Sequence, residues 1–438
     1  MNGAQLLRSL ALRHGRPMGV HLQVADRCNH VCQHCYQVQG EKGELSFEKL
    51  CEVIDGIADA GVFTLNVSGG EATLRPDLLE ILRYARGRGF AVRLFTNGFL
   101  IDEVYADALA AVGLLEVHVS LYSGLAEEHD AVTRVPRSFH RTVAAITSLR
   151  QRGVRVVLKT PATTLSVRGA QSVEALALRL GCEHQSSTEL TMREDGAADP
   201  WAVRVTPEDL LREGMLSAWT PAADEAGERA VKLATFPCGV GRSGLVVLPD
   251  GRLQACTDTP NVLADLTQHS LADALRSAPE RELFETLNWS RIHGCRDCDL
   301  LTACARCHAT ALHEGGDYLG PYASACARAR ARYSAAAGSL EVTTPTADCE
   351  PGRDPSVGPY AIVAAGVIQP LRDVRTADDD AMAARFSWLR RAVARPADTG
   401  LVSIRRKPTV ESLQTPIGET GSLPQTGMGV ISPLRQPL

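Results

Sequence analysis

Between residues 18 and 190, short apolar runs rich in Val and Leu alternate with longer stretches whose apolar side chains recur at helical spacing. The runs GVHLQVA (19–25), VFTLNVSGG (62–70), FAVRLFTNG (90–98), LLEVHVSLY (114–122) and VRVVLKTP (154–161) read as strands. A helical pattern follows each one, from Ser46 to Ala60, Pro76 to Gly87, Asp102 to Val112, Phe139 to Arg152 and Arg168 to Leu180. A sixth strand is expected after Cys182. Strand and helix repeated in this order predict parallel βα units, and hence an α/β fold of the partial (β/α)6, TIM-like kind. In such folds chemistry gathers where the strands end. The segments SGGE, TNG, SLY and KTP, and a loop carrying three cysteines, all follow strands and are expected to share one mouth.

The alternation divides the chain into an N-terminal extension (1–17), the partial barrel (18–200), a linker (201–235), a small cysteine-rich α+β region (236–336) and a C-terminal extension (337–438). One or two short helices are expected across 191–235. Residues 401–438 are rich in Pro, Gly, Ser and Thr, and the extension is predicted to be largely disordered apart from one short amphipathic helix over 378–394.

At 438 residues and 45% hydrophobic content the chain can bury two cores, and its net charge of −5 with dispersed basic residues argues against nucleic acid or anionic membrane as partner. The longest apolar run, YAIVAAGVI (360–368), falls far short of the roughly 20 residues that span a bilayer. No apolar signal segment opens the sequence, so a cytoplasmic protein is expected.

Composition changes the picture at cysteine. Of thirteen, three fall in CNHVCQHCY (28–36), at Cys28, Cys32 and Cys35, and seven between Cys238 and Cys326; only Cys51, Cys182 and Cys349 stand apart. Clustering at short spacing in a reducing compartment indicates metal ligation rather than disulfides. Three thiolates hold three irons of a [4Fe–4S] cube and leave the fourth open. A closed zinc site completed by His30 or His34 is the rival reading. A thioredoxin-type pair would leave Cys28 unexplained. In the second region the pattern is Cys238-x12-Gly251-x4-Cys256, then Cys295-x2-Cys298-x5-Cys304-x2-Cys307, then Cys326. Paired C-x2-C units alone suit a zinc ribbon, although seven cysteines exceed one site and two sites would need histidines such as His293 or His308.

The C-x3-C-x2-C spacing, directly after the first strand of a βα array, resembles the radical S-adenosylmethionine (SAM) superfamily. The resemblance implies that Cys28, Cys32 and Cys35 hold a [4Fe–4S] cluster whose open iron is chelated by SAM. One electron then cleaves the sulfonium, and the resulting 5′-deoxyadenosyl radical takes hydrogen from substrate. It further implies that Ser68, Gly69, Gly70 and Glu71 receive the SAM amino group, with Glu71 meeting the ammonium. Thr96 and Asn97 close strand three in the family manner. Ser120 and Lys159 are candidates for ribose or carboxylate contacts, and Tyr36 for packing near the adenine. Arg193 reads as a solvated side chain rather than a SAM contact.

Taken with the first domain, the second cysteine run resembles the SPASM extension of peptide-modifying radical SAM enzymes, which holds two auxiliary [4Fe–4S] clusters. Carried over by position, Cys238, Cys256 and Cys307 serve the first and Cys295, Cys298, Cys304 and Cys326 the second. The family places three residues between the last paired ligands, whereas two separate Cys304 from Cys307. So assigned, the first auxiliary cluster has only three cysteines, leaving an iron open for a substrate group or filled by another residue such as Asp258 or by a backbone atom. In sulfatase-maturing relatives an aspartate directly follows the ligand equivalent to Cys256 and takes a proton. Here Thr257 intervenes before Asp258, a tentative catalytic residue, and formylglycine-type oxidation becomes the alternative. Oxidative crosslinking of a ribosomally made peptide is the expected activity, with a flavodoxin or ferredoxin as reductant. With about seventeen residues before the first strand, leader recognition is expected from a separate protein. From another class, the alternative is a non-catalytic iron–sulfur or zinc regulator, which would not cleave SAM.

Overall fold

The computed structural model describes residues 16–336, apart from 221, 279–282 and 285–286, together with two short antiparallel strands, 360–363 and 367–370. Expectations for 1–15, for the helix over 378–394, for Cys349 and for the remaining C-terminal extension lie outside the described residues.

Strict alternation on the first strands builds the fold. In β1 (Gly19–Ala25), Val20, Leu22 and Val24 are fully buried, and β2 (Thr64–Gly69) does the same with Leu65 and Val67. The pattern continues through β3 (Ala91–Thr96), β4 (Glu116–Ser120) and β5 (Val156–Pro161), where Leu94, Val119 and Leu158 belong to the same core. Against this face pack α1 (Phe47–Asp59), α2 (Leu78–Gly87), α3 (Glu103–Val112), α5 (Ser138–Gln151) and α6 (Ala170–Leu180). The side chain of Ser46 caps α1 by accepting from Lys49 N, and Asp102 caps α3 by accepting from Tyr105 N at 2.8 Å. Each serves a backbone donor that the helix itself leaves unpaired. Fully burying an aliphatic side chain such as Ile54 contributes about 1.5–3 kcal/mol.

Two elements depart from the expected pattern. The connection after β4 contains a further helix, α4 (Ala126–Thr133), ahead of α5. The cysteine-rich region, moreover, continues the barrel sheet. Its strand β7 (Gly244–Val247) pairs in parallel with β1, from Gly19 opposite Gly244 to Leu22 opposite Val247. Antiparallel β8 (Arg252–Gln254) and β9 (Val262–Asp265) follow, and β6 (Glu183–Ser187) closes the far edge, giving the order β6-β5-β4-β3-β2-β1-β7-β8-β9. An open barrel leaves a free edge on β1 with unpaired backbone groups, and β7 satisfies them. Between β6 and β7 lie α7 (Pro207–Arg212) and α8 (Glu225–Leu233); α9 (Leu271–Ser277), α10 (His308–Gly315) and α11 (Ala323–Ala336) follow the sheet. No described helix is long and apolar enough to cross a membrane.

Candidate active site

Residues 26–44, leaving β1, form an irregular loop held from three sides. The end of α4 lies on one side, where Val31 N and Gln33 N donate to the carbonyls of Thr133 and Val132. On another, Lys42 bridges Asp26 (3.2 Å) and Glu194, whose Oε1 also accepts from Val38 N at 2.6 Å. The third hold is the SGGE turn. Gly70 N donates to Ala25 O and Glu71 N to Arg27 O, at 2.8 and 2.7 Å. A Cβ on Gly70 would stand 2.3 Å from Arg27 O, so the glycine is there because the loop backbone passes directly over it.

Glu71 has a task beyond the one expected of it. Its buried carboxylate accepts from Thr73 N, Thr73 Oγ1, Thr96 Oγ1 and Asn97 N, at 2.6 to 3.0 Å, tying the end of β2 to the end of β3. Thr96 is therefore spent on Glu71, and the Asn97 amide donates to Asn29 Oδ1 at 2.8 Å, anchoring the cysteine loop. Three of these donors meet Oε1 and one meets Oε2, so Oε1 is taken up by the chain itself while Oε2 keeps room for a further donor.

One cavity, of about 1250 Å³, gathers most of the remaining candidates. Cys28, Cys32, Cys35, Tyr36, Ser68, Gly69, Gly70, Glu71, Thr96, Asn97 and Ser120 line it, and so do Cys238, Cys256 and Thr257 from the second region. Lys159 does not: its ammonium donates to Gln185 Oε1 on β6 at 2.7 Å. Arg193 is paired with Asp195 and Asp199. Tyr36 packs where the two cysteine regions approach, with the charges of Asp258, Cys35 and Cys256 around it and its hydroxyl accepting from Gln23 and Gln37.

Sequence reading passed over the inner face of the sheet. Opposite the apolar row, His21, Asn66, Arg93, Phe95 and Ser120 point into the cavity. His21 meets Ser68 at 2.5 Å, and Phe95 lies against His118, which pairs with Glu116 at 2.8 Å. Tyr122 also lines the cavity, its hydroxyl 3.8 Å from Cys32 Sγ and its ring edge-on to His34. The signal was present as polar residues at every second position of the strands, a pattern that opens one face of the sheet to a wet interior.

Among the described residues no three His, Cys, Asp or Glu side chains converge on a point that would hold a single metal ion. His293 pairs with Asp317, and His308 bonds the Tyr318 carbonyl through Nδ1, with its buried Nε2 unpartnered among the described residues. A cube takes one thiolate per iron, which spreads its cysteines wider than the ligands of one ion. Among the described residues no cysteine is joined in a disulfide. Burial pushes Cys28 and Cys32 up to about 12 and raises Cys35, and neighbouring cysteines add to each of the first two. Bound iron reverses that preference by favouring the thiolate, so the donor set fits an iron–sulfur cluster.

Six of the later cysteines fall into two neighbourhoods. Burial raises Cys256, and Asp258, Cys307 and Cys238 push in the same direction. Burial likewise raises Cys304 to about 11, with Cys295 and Cys298 as neighbours. Cys326 lies in α11 beside Ala325, which packs in a small cluster with Cys304 at its edge. Asp258 is half-buried behind Cys256, and burial raises its carboxyl.

Residues 22–170 match the Radical SAM superfamily model, and residues 238–299 match SPASM, an iron–sulfur cluster-binding domain. The mycofactocin maturase MftC of Mycobacterium ulcerans is 30% identical over 257 residues, covering 55% of this chain and 68% of the relative. The chain belongs to the radical SAM superfamily. It spans slightly less than two thirds, 64%, of the MftC of Mycobacterium tuberculosis. The AdoMet-dependent heme synthase of Methanosarcina barkeri is 27% identical, covering 67% of this chain and 91% of the relative. In fold, the radical SAM chain is similar to Streptococcus suis SuiB bound to its precursor peptide SuiA, at 13% identity and TM-score 0.57, covering 74% of this chain and 81% of that one.

Proposed function

We propose that this radical SAM chain is a peptide maturase that cleaves SAM reductively and oxidatively modifies, by crosslinking, a ribosomally made peptide. The observation that carries the reading is the single cavity with Cys28, Cys32 and Cys35 on one wall and Cys238 and Cys256 on the other. At about 1250 Å³ it exceeds the roughly 300–1,000 Å³ of a small-molecule site, leaving room for a peptide segment beside a cofactor. The MftC relative and the SuiB fold neighbour, both named for peptide maturation or a peptide complex, support the substrate class.

Cys28, Cys32 and Cys35 would hold the [4Fe–4S] cluster, which when bound supplies the electron for SAM cleavage and so the hydrogen abstraction that follows. The chain's own residues do the rest. Asn97 and Glu71 fix the loop that presents the thiols, through Asn29 and the strand ends. Tyr122 and His34 pack against each other beside Cys32, shielding that wall from water. Ser68, Ser120 and Arg93 offer polar contacts to cofactor or substrate along the floor. The facing cysteines would hold auxiliary clusters, suited to accept the second electron that a crosslink releases. A separate leader-binding protein and a flavodoxin- or ferredoxin-type reductant complete the reading.

The second reading is a heme-precursor substrate, favoured by the 91% coverage of the heme synthase relative. The deciding experiment reconstitutes the protein without oxygen, adds dithionite and SAM, and follows 5′-deoxyadenosine with deuterated candidate peptides and with iron porphyrin. Deuterium from a peptide appearing in the nucleoside supports the maturase. Turnover of porphyrin alone transfers the chain to the second reading, and tightly held zinc without SAM cleavage overturns both.

A further inference from the structure

We propose that the carboxylate of Asp258 is the fourth ligand of the auxiliary iron–sulfur site built on Cys238, Cys256 and Cys307; the inference rests on the reading that this region carries clusters. Cys295, Cys298 and Cys304 are neighbours, and carried over by position Cys326 of α11 joins them, on the helix whose Ala325 packs in a cluster bordered by Cys304. Cys51 lies in α1 and Cys182 follows α6, bonded to Leu180 O, so among the described residues neither reaches the other group. Three thiols are left, and Asp258 is an electrostatic neighbour of Cys238, Cys256 and Cys307 alike, whereas the Glu189 carboxylate neighbours Cys307 alone and pairs with Arg328.

Its orientation is set by its partners. Oδ1 accepts from Thr191 Oγ1 and Thr257 Oγ1, each at 3.2 Å, while Oδ2 faces Cys256 Sγ at 3.9 Å. His313 anchors the main chain by donating to Asp258 O at 3.0 Å, and the turn closes through Thr259 on Cys256. One oxygen is thus held by hydroxyls and the other is presented on the sulfur side. Among the described residues Asp258 forms no salt bridge, so a half-buried carboxylate sits with three thiols and no paired cation. Such a carboxylate is stabilised when a positive centre joins it, and iron bound at the thiols would be that centre. Of the nearby hydroxyls, that of Tyr36 accepts from Gln23 and Gln37, while that of Thr257 lies 3.9 Å from Cys256 Sγ but is neutral and a weaker ligand for iron than a carboxylate. A hard oxygen ligand on a thiolate cluster makes one corner more labile than the other three.

The test uses full-length chain in which Cys28, Cys32 and Cys35 are replaced by Ala, so that only auxiliary clusters load. Parent, Asp258→Ala, Asp258→Asn, Asp258→Cys and Cys256→Ala proteins are reconstituted without oxygen and compared by iron content, Mössbauer and electron paramagnetic resonance. Asp258→Ala and Asp258→Asn should each change the signature of one cluster and lose about one iron per chain to a mild chelator. Asp258→Cys should restore full iron with shifted g-values, which also separates ligation from misfolding. Spectra and iron content identical to the parent in both Asp258→Ala and Asp258→Asn overturn the proposal. If Cys256→Ala also leaves both clusters untouched, the auxiliary site itself fails rather than Asp258.

Discussion

A carboxylate with four donors is a structural fastener, and Glu71 is expected to behave as one. Glu71→Gln places an amide donor against Thr73, Thr96 and Asn97, leaving buried donors without acceptors at a cost of about 1–3 kcal/mol. Urea denaturation of the apoprotein should show the loss. A variant with unchanged apo stability and weakened SAM binding would instead return Glu71 to the ammonium. Gly70→Ala is the sharper lesion, because its new methyl meets the backbone carbonyl of Arg27, which has no side-chain freedom to yield. Thermal melting should fall, and iron bound at Cys28, Cys32 and Cys35 should fall with it. The Gly-Gly-Glu signal was legible in the sequence as a site, but its partners were not. The glycines line the cavity as expected of a ligand wall, and on their Cβ side the chain's own loop passes close, a contact made across more than forty residues.

Among the elements, the cysteine loop depends on neighbours that no local pattern links to it. Lys42, Asp26 and Glu194 are all largely buried, and removing the cation leaves two carboxylates facing each other. Lys42→Met should cost about 2–4 kcal/mol and speed hydrogen exchange and proteolysis across 26–44, with α2 and α3 unaffected. Equal exchange in both proteins would show that the loop is held by α4 and the SGGE turn alone. Helix α4 escaped sequence reading for a physical reason. Its eight residues, AEEHDAVT, bury only His129, Val132 and Thr133, too narrow a stripe to distinguish from a connection. Longer helices with a broad apolar face, such as α1, were legible to within about two residues at either end.

Across the whole molecule, several imidazoles are held neutral inside. Burial lowers His21 and His129 to about 4 and His308 to about 3. In the unfolded chain these groups take up protons near pH 6.5, whereas the folded chain resists until about 4, so the unfolded state binds more protons throughout that window. Stability should therefore decline steadily as pH falls from about 6.5 toward 4, and the urea midpoint of the apoprotein measures it. A flat profile between pH 6.5 and 4.5 would mean that these side chains are hydrated in the folded state.

The spacing of Cys28, Cys32 and Cys35 and the recurrent strand–helix pattern are local properties, and they sufficed for the α/β class, the parallel units and the chemistry of the first cysteine loop. Only tertiary structure decided which side chains neighbour the cysteines and that both regions open on one cavity. Those outcomes turn on β7 pairing with β1 across more than two hundred residues, on Glu71 joining β2 to β3, and on Asp258 being turned toward Cys256 by Thr191. Backbone periodicity records which way a side chain faces along its own strand. It carries no record of which distant segment will satisfy that strand's free edge.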